Sequence, residues 1–532
     1  MAIEGFGKSV RQANAGKLPF QDLGKSIKEK LDTLTENKKM GPDLLFMVTY
    51  MASITTAQAT RPEIFAYTAV RKEYVTCKYI ERVEFFVKRW NYSYVQALTI
   101  IADRVKNDML RSMLNRFGNS MESGVPDEDF LNRELGTIRS VYRNSYEQGL
   151  EMLKKWSDAY IAMLFAGSLV GIIMMISVAI YSPGDPQSTL MSSYMVVGGI
   201  AVFGVVTMYR SVPSDDKTHN MGKGSKEQDL IHRLEKKVVP LAVMGAIILY
   251  LLSGNAGLSM LLAGLLLLPL GVIGYLDDQN IIKRDAEFTT FIRSLGAVMG
   301  GKGVTIANAL GEIDRKSLET LEPFINGVYS KLNLGLDEVL TWERFLHECG
   351  SNLIYKYLNI FRDAVELGGK PDIIGQIVGS SMLEQVLLRE KRNNVSMGFV
   401  ILLVPMHAMM VGIFLVLFHI LLTMSRAIQT VMTSFGETGA ALSGSTTAGA
   451  LGSQMPIDLF VNFPEAEMNM YVLIMITIIS VANIVVGKIV MGGDRYMFYF
   501  FSSLIFAVTG IIYIGAPEIV AMFFSIPTIT GA

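Results

Sequence analysis

The 532-residue chain has few cysteines and histidines and no excess of basic over acidic residues. It has two cysteines, Cys77 and Cys349, and five histidines, which argues against a disulfide-stapled secreted fold. Its net charge is −1, so it lacks the basic excess of a nucleic-acid-binding protein. Residues 1–30 carry Lys and Arg but no apolar core segment, so no cleavable signal peptide is expected.

What the chain has instead is long apolar runs, and half of its residues are hydrophobic. A helix needs about 20 apolar residues to cross the hydrocarbon core of a bilayer. Six runs meet or approach that length, and a shorter seventh run forms a hairpin with the next one through a turn at 253–255. The predicted spans are 160–181, 190–209, 238–252, 257–276, 397–422, 470–491 and 496–514. We therefore predict a multi-pass protein of the cell membrane with about seven transmembrane helices.

The cations are distributed unequally between the segments that connect the spans. All 48 Lys and Arg residues except Arg426 fall on the same predicted side of the membrane. Because connecting segments rich in Lys and Arg stay in the cytoplasm, this bias predicts a cytoplasmic N-terminus and two cytoplasmic charged blocks. The segment 423–469 then faces the outside, as does the C-terminus after seven spans. An eighth span over 516–532 is the less favoured alternative, because Pro517 and Pro527 interrupt that tail.

The two charged blocks have helical periodicity and no strand periodicity. Apolar residues recur at helical spacing in both, as at Val83 and Phe86 in the first block and Leu321 and Phe324 in the second. Each block is predicted to be a bundle of four to six helices, so the whole fold is all-α. The predicted organisation is an N-terminal cytoplasmic segment 1–42, a first bundle 43–158, a four-helix membrane region 159–276 with a cytoplasmic loop 210–237, a second bundle 277–396, and a C-terminal membrane region 397–532 with the outside loop 423–469.

The two blocks also resemble each other in sequence. Residues 113–126 (MLNRFGNSMESGVP) and 358–371 (LNIFRDAVELGGKP) each end a predicted helix in Gly-x-Pro over the same length. Residues 90–98 (WNYSYVQAL) and 332–340 (LNLGLDEVL) form a second parallel pair. Each block then runs directly into a long span. The pattern predicts a duplicated unit of cytoplasmic helices followed by a membrane helix.

This arrangement resembles the type II secretion F family, the membrane platform proteins of type II secretion, type IV pili and related systems. The resemblance rests on the duplication and on residues 292–310 (IRSLGAVMGGKGVTIANAL) with 334–340 (LGLDEVL), and it covers residues 43–425. The four spans between the blocks and the long outside segment after the fifth span are similar to the archaellum platform members of that family. The resemblance implies a duplicated six-helix cytoplasmic domain in a non-enzymatic membrane platform.

The resemblance also implies partners. They are a cytoplasmic hexameric secretion-type ATPase, the other components of the archaellum motor, and pilin-like archaellin subunits held in the lipid bilayer. The chain would pass motion from the ATPase to its membrane helices during filament assembly. The predicted ATPase contacts are exposed cations on the two blocks: Arg82, Lys88, Arg89, Arg104 and Arg111 in the first, and Arg284, Arg293, Arg315 and Lys316 in the second.

Two alternative functions stay open at this point. A platform for an archaeal adhesive pilus or a type II-like secretion system would carry the same features. A channel or transporter is the alternative of another class. Transporters favour inverted repeats with broken helices near the midplane, whereas the repeat here includes a large cytoplasmic block. For each cation in the contact set, ordinary solvated surface is the alternative interpretation.

Two short motifs imitate enzyme or metal sites. Residues 296–303 (GAVMGGKG) match the start of a phosphate-binding loop, but they follow an amphipathic helix, and Gly303 stands where Ser or Thr would bind Mg²⁺. We interpret the segment as a turn between helices. His347 and Cys349 have no second ligand pair at metal-binding spacing, and no Ser/His/Asp or Cys/His set indicates hydrolysis. The sequence therefore predicts no enzyme, no metal and no cofactor.

Several polar residues lie inside the predicted spans, where polar side chains are costly. His407, His419, Asn483 and Lys488 are predicted to make interhelical hydrogen bonds or, in the alternative, to form an ion path. The spacing of His407 and His419 places the two rings on different faces of one helix.

Small residues give two further predictions. Gly167 and Gly171 form a G-x-x-x-G pair in the first span, which permits close helix packing within the chain or against a second copy in a homodimer. The outside tract 443–452 (SGSTTAGALG) is predicted to be a flexible linker or a contact for outside assembly components.

Overall fold

The computed structural model describes residues 19–181, 186–213, 215–219, 221–222, 224–441 and 463–523. Within these ranges helices are the regular elements, and one isolated bridge pairs Thr218 with Ser351. The tract 443–452 lies outside the described residues. The α-helices are α1 (Pro19–Thr55), α2 (Arg61–Val70), α3 (Cys77–Trp90), α4 (Tyr94–Ala102), α5 (Asp108–Glu122), α6 (Asp127–Tyr181), α7 (Pro186–Ser211), α8 (Lys226–Ser253), α9 (Ala256–Lys302), α10 (Ile306–Glu312), α11 (Glu322–Asn333), α12 (Glu338–Cys349), α13 (Asn352–Glu366), α14 (Pro371–Ala441), α15 (Glu465–Met491) and α16 (Met497–Phe523), with a 3₁₀ turn at Arg315–Ser317.

The order of helix lengths recurs along the chain. A long helix, four short helices and a very long helix occur as α1–α6 and again as α9–α14. The fourth helix of each series begins at a capped position: Ser93 accepts a hydrogen bond from the Gln96 amide, and Asp337 accepts one from the Leu340 amide. These caps fall in the paired segments 90–98 and 332–340. That the two series are homologous bundles stays a prediction.

Seven of the described helices are long and apolar enough to cross a membrane. They are α6, α7, α8, α9, α14, α15 and α16; six of them contain a predicted apolar run in full, and α16 contains all of the run 496–514 except its first residue. The predicted all-α fold with seven membrane helices is therefore confirmed for the described residues. The predicted hairpin is also present, because α8 ends at Ser253, Gly254 turns the chain with a φ of 64°, and α9 begins at Ala256. By contrast, α14 continues to Ala441, so the first part of the predicted outside loop is helical.

The chain divides into two compact units. The first contains the described parts of Met1–Ser145, Thr289–Ile313 and Lys356–Glu384. The second contains those of Tyr146–Phe288, Asp314–Tyr355 and Gln385–Ala532. The domain boundaries given above from the sequence stay predictions.

The first unit combines an aromatic core with a close helix crossing. The Phe117 ring lies 5.5 Å from the Phe65 ring and 4.9 Å from the Phe130 ring. A Cβ atom on Gly296 in α9 would lie 3.0 Å from the Cα atom of Gly375 in α14, so the two helices meet backbone to backbone.

The phosphate-loop look-alike also lies in the first unit. Gly296 and Lys302 belong to α9, Gly303 adopts a φ of 63°, and α10 begins at Ile306. The Lys302 ammonium pairs with Glu312, 2.5 Å away. The segment is the end of a helix and the turn after it, as the sequence predicts.

In the second unit, glycines let α9 and α16 approach each other closely. A Cβ atom on Gly264 would lie 2.7 Å from the amide nitrogen of Ala507, and one on Gly271 would lie 2.7 Å from the Cα atom of Phe500. Because Cβ atoms do not approach other atoms so closely, side chains at these positions would push the helices apart. Gly257, Gly264 and Gly271 recur at about two helical turns and share one edge of α9. We call these three residues the glycine seam.

The glycine seam gives a stability prediction. Gly264→Ala should lower the free energy of unfolding by about 1–3 kcal/mol, because the added methyl group overpacks the contact with α16. Gly515→Ala on α16 is the matched control, since nothing lies within 4 Å of a Cβ atom there. Thermal unfolding of the purified full-length protein in detergent measures both. Equal midpoints for the two variants would contradict the close approach.

Candidate functional site

The most concentrated buried polar structure in the described residues surrounds the segment between α7 and α8. This segment, residues 212–225, is called the central loop below; residues 214, 220 and 223 are not described. Its sequence (VPSDDKTHNMGKGS) is polar, yet Lys217 and Ser225 are buried. Buried charges are stable only when they are paired and hydrogen-bonded. The partners of the central loop therefore define the site.

Arg389 of α14 lies between two carboxylates. Its guanidinium is 2.6 Å from Asp285 of α9 and 2.6 Å from Asp215 of the central loop, and its side chain is 6% exposed. Two bonds, from Nε and Nη2, reach the same Asp215 oxygen. Charge-assisted bonds of this kind are stronger than neutral ones. Arg389 thus joins α9, α14 and the central loop.

The environment shifts the pKa values of the two carboxylates in opposite directions. Burial acts to raise the pKa of Asp215, but Arg389 and Arg392 lower it below its usual range. Burial raises the pKa of Asp285 to about 6 against the attraction of Arg389. Both residues lie outside the predicted apolar spans. Asp215 is therefore the firmly ionised partner of Arg389 near neutral pH.

A second buried pair lies next to the first. The Lys217 ammonium is 2.8 Å from both carboxylate oxygens of Asp278 in α9, and both side chains are about 5% exposed. The neighbouring carboxylate of Asp277 accepts hydrogen bonds from Ser225 Oγ at 2.9 Å and Gln228 Nε2 at 3.0 Å. The middle and the last residue of the central loop are thereby fixed to the two aspartates that directly follow the apolar run of α9.

The central loop also contacts the junction between α12 and α13. The Asn352 amide donates to the Lys217 carbonyl at 2.9 Å, and Asn352 Nδ2 donates to the Asp216 carbonyl at 3.0 Å. The His219 ring lies 2.9 Å from the Leu346 carbonyl. Any displacement of this junction would therefore pull on the central loop.

Two further contacts reach the last pair of membrane helices. Arg392 of α14 donates to the carbonyl of Pro213 in the central loop and to carbonyls at the end of α15, where a cation is favoured by the helix dipole. Thr218 Oγ1 donates to Asp494, in the turn before α16, at 3.2 Å. Through its partners, the central loop joins α9, α12, α14 and the α15–α16 turn. We call this set of contacts the polar hub.

Inside the apolar spans a separate network joins four helices. Tyr160 of α6 donates to Asn483 Oδ1 at 2.8 Å, and Asn483 Nδ2 donates to His407 Nδ1 at 2.9 Å. The other ring nitrogen of His407 then donates to Thr509 at 2.8 Å. His419 instead contacts the carbonyl of its own helix at Leu415. The network supplies the predicted interhelical hydrogen bonds for His407 and Asn483.

The predicted ATPase contacts differ in exposure. Arg82, Lys88, Arg89, Arg104 and Lys316 are exposed, whereas Arg111, Arg293 and Arg315 are partly buried. Arg284 corrects the expectation of an exposed charge, because it is 5% exposed, donates to the Cys349 carbonyl at 2.9 Å and lies over the Phe324 ring. Its guanidinium serves the packing of α9 on α12.

The Gly167 and Gly171 pair lies against two different helices. A Cβ atom on Gly167 would lie 3.2 Å from Ile200 of α7. One on Gly171 would lie 2.6 Å from Met475 of α15, and Tyr471 donates to the Gly171 carbonyl at 2.9 Å. The packing role of this glycine pair stays a prediction. The ATPase contacts stay a prediction as well.

The residues of the polar hub were not singled out from the sequence. The available signal was the charged pair Asp277 and Asp278 directly after one apolar run and Arg389 and Arg392 shortly before another.

Within the described residues, no group of three or more His, Cys, Asp or Glu side chains is arranged to hold a metal ion.

Comparison with known proteins identifies relatives. The chain is 22% identical over 380 residues to flagella accessory protein J of Methanocaldococcus jannaschii, covering 67% of this chain and 66% of the relative. It is 22% identical over 373 residues to the protein of the same name from Methanococcus voltae, with the same shares. The chain is a homologue of flagella accessory protein J. It spans about 66% of the length of these relatives. No protein-family model and no solved structure matches.

The polar hub of this homologue gives a testable stability pattern. Lys217→Met should lower the free energy of unfolding by about 3–5 kcal/mol, because it leaves Asp278 buried without its cation. The double variant Lys217→Met with Asp278→Leu should recover most of this loss, since neither charge is then buried. Lys283→Met, on an exposed lysine of α9, is the matched control. Thermal unfolding measures all three, and a double variant as unstable as the single one would refute the pairing.

Proposed function

We propose that the chain is the membrane platform of the archaellum assembly and rotation machinery. In this role it couples a cytoplasmic hexameric secretion ATPase to the insertion of archaellin subunits into the filament. The names of the two relatives and the seven membrane helices support a membrane protein accessory to the flagellum. The observation that carries the coupling role is the polar hub, in which the central loop shares buried charges with the membrane helices α9 and α14 and is hydrogen-bonded to the α12–α13 junction.

The polar hub suits the transfer of motion because its contacts resist separation. Pulling Arg389 away from Asp215 and Asp285 would leave buried charges unpaired, at a cost of several kcal/mol. A displacement at the α12–α13 junction is therefore passed to α9 and α14 in preference to breaking these pairs. Such transfer needs no nucleotide site in this chain, and the energy comes from the ATPase.

The docking surface for the ATPase is proposed on the exposed cations of both charged regions. Lys88 and Arg89 are adjacent at the end of α3, and both side chains are exposed, with the Lys88 ammonium paired to Glu84 of the same helix. Lys316 occupies the exposed 3₁₀ turn after α10. Arg284 is left out of this surface because it is buried.

The bias of Lys and Arg supports a cytoplasmic N-terminus and cytoplasmic charged regions. In intact cells a membrane-impermeant thiol reagent should label Ser188→Cys, between the first two spans, and should fail to label Ser123→Cys and Ser317→Cys. All three positions are exposed, and the native Cys77 and Cys349 are buried, so background labelling is low. Permeabilised cells provide the control in which all three variants react. Labelling of Ser123→Cys before permeabilisation would overturn the orientation.

Charge reversal tests the ATPase contact. Lys88→Glu with Arg89→Glu should weaken binding of the cognate ATPase and make the remaining binding less sensitive to salt, because exposed charges are screened over about 10 Å at about 0.1 M salt. Lys72→Glu with Arg133→Glu makes the same charge change at exposed positions outside the contact set. Pull-down of the ATPase on the purified full-length protein measures both. Equal binding by the two double variants would remove Lys88 and Arg89 from the interface.

Deletion of the gene distinguishes between the alternative functions in a single experiment. Loss of archaella and swimming supports the archaellum platform. Loss of adhesive pili or of secreted proteins with intact archaella would instead support the pilus or secretion platform. Normal filaments together with a transport defect would favour the channel or transporter.

A further inference from the structure

The membrane helix α8 presents a face that packs on no other helix among the described residues. Only 6% of the 18-residue apolar stretch of α8 is buried, whereas 28–61% of the corresponding stretch is buried in the six other membrane helices. Its opposite face packs through Ile231, Leu234 and Val238 on Leu270 of α9 and Tyr496 near α16. The open face is therefore a surface of an otherwise well-fixed helix.

Two kinds of side chain follow each other along this open face. Arg233 and Lys237 are exposed one turn apart, directly before the apolar run of the helix. The same line continues at helical spacing through exposed apolar residues to the end of α8: Leu241, Met244, Ile248 and Leu252. Lys236 begins a neighbouring line that continues through Val243, Ile247 and Leu251, which are also exposed. The face is cationic at one end and apolar over the remaining length.

A further cation is held beside the charged end. Arg495, in the turn before α16, donates to His232 Nδ1 at 2.9 Å and lies 3.5 Å from Glu235. The other ring nitrogen of His232 is 2.9 Å from the Tyr496 hydroxyl, so the ring is fixed on both sides. The Arg495 side chain is 56% exposed, which leaves part of its guanidinium open to a ligand.

We propose that this face binds an anionic membrane lipid. Arg233, Lys236, Lys237 and Arg495 would hold the phosphate of the headgroup, and the apolar line of α8 would contact the hydrocarbon chain. Clusters of Lys and Arg at the membrane end of a helix attract anionic lipids with about 1 kcal/mol per cation. The matching order of charge and apolar surface along α8 favours a lipid over a soluble phosphate compound. The inference does not depend on the proposed platform function or on the orientation.

Native mass spectrometry of the purified full-length protein tests the site. The probes are phosphatidylglycerol as the anionic lipid, phosphatidylcholine as the zwitterionic lipid, and inorganic phosphate. The wild type should bind phosphatidylglycerol in preference to phosphatidylcholine, and inorganic phosphate should not compete. Lys236→Gln with Lys237→Gln should weaken phosphatidylglycerol binding on the order of 30-fold, which corresponds to about 2 kcal/mol for two cations.

Lys154→Gln with Lys155→Gln is the matched control, because these exposed lysines precede a different span. Its binding should equal that of the wild type, and thermal unfolding checks that both double variants are folded. Arg495→Gln should give a smaller loss in the same direction. Equal losses in the two double variants would reduce the effect to general membrane charge and overturn the site. Competition by inorganic phosphate would contradict the lipid site and indicate that the cations bind a free phosphate. Equal binding of both lipids would also contradict it and indicate that the α8 face binds a protein partner.

Discussion

A single buried guanidinium, that of Arg389, sets the arrangement on which the second unit depends. It must lie between Asp215 and Asp285, because a buried cation without carboxylates would be unstable by several kcal/mol. That requirement brings the central loop, α9 and α14 to one point. The pair of Lys217 with Asp278 repeats the constraint beside it. Once these charges are paired, the register of the loop on both helices is fixed.

The spans themselves are joined by different means. The network of Tyr160, Asn483, His407 and Thr509 consists of neutral groups, each of which donates to the next. Neutral hydrogen bonds suit a medium in which ionised groups are costly. The second unit thus uses charges where the chain leaves the apolar spans and neutral polar groups within them. The charged pairs outside the spans couple the helices rigidly, and the neutral network within the spans defines their packing. Both support the transfer of motion that we propose.

The sequence was sufficient for properties that depend on local composition. Seven apolar runs predicted seven membrane helices, and the turn at Gly254 was predicted from its short polar connection. The polar hub could not be predicted in this way, because Asp215 and Arg389 are far apart in the chain and no periodicity links them. Arg284 was misjudged for the same reason: a cation on an amphipathic helix is usually solvated, and only its contact with Cys349 shows that it is buried. The charge pattern of the sequence predicts a side of the membrane for each segment, but it did not indicate the partner of each charge.

The glycine seam has a consequence for biogenesis. Chains are made from the N-terminus, so α9 enters the membrane long before α16 exists. Until then Gly264 and Gly271 present bare backbone, without the close contact to Ala507 and Phe500 that they later make. The fourth span therefore reaches its final packing only after the seventh has been inserted, and a chain truncated before α16 would lack the surface that completes it.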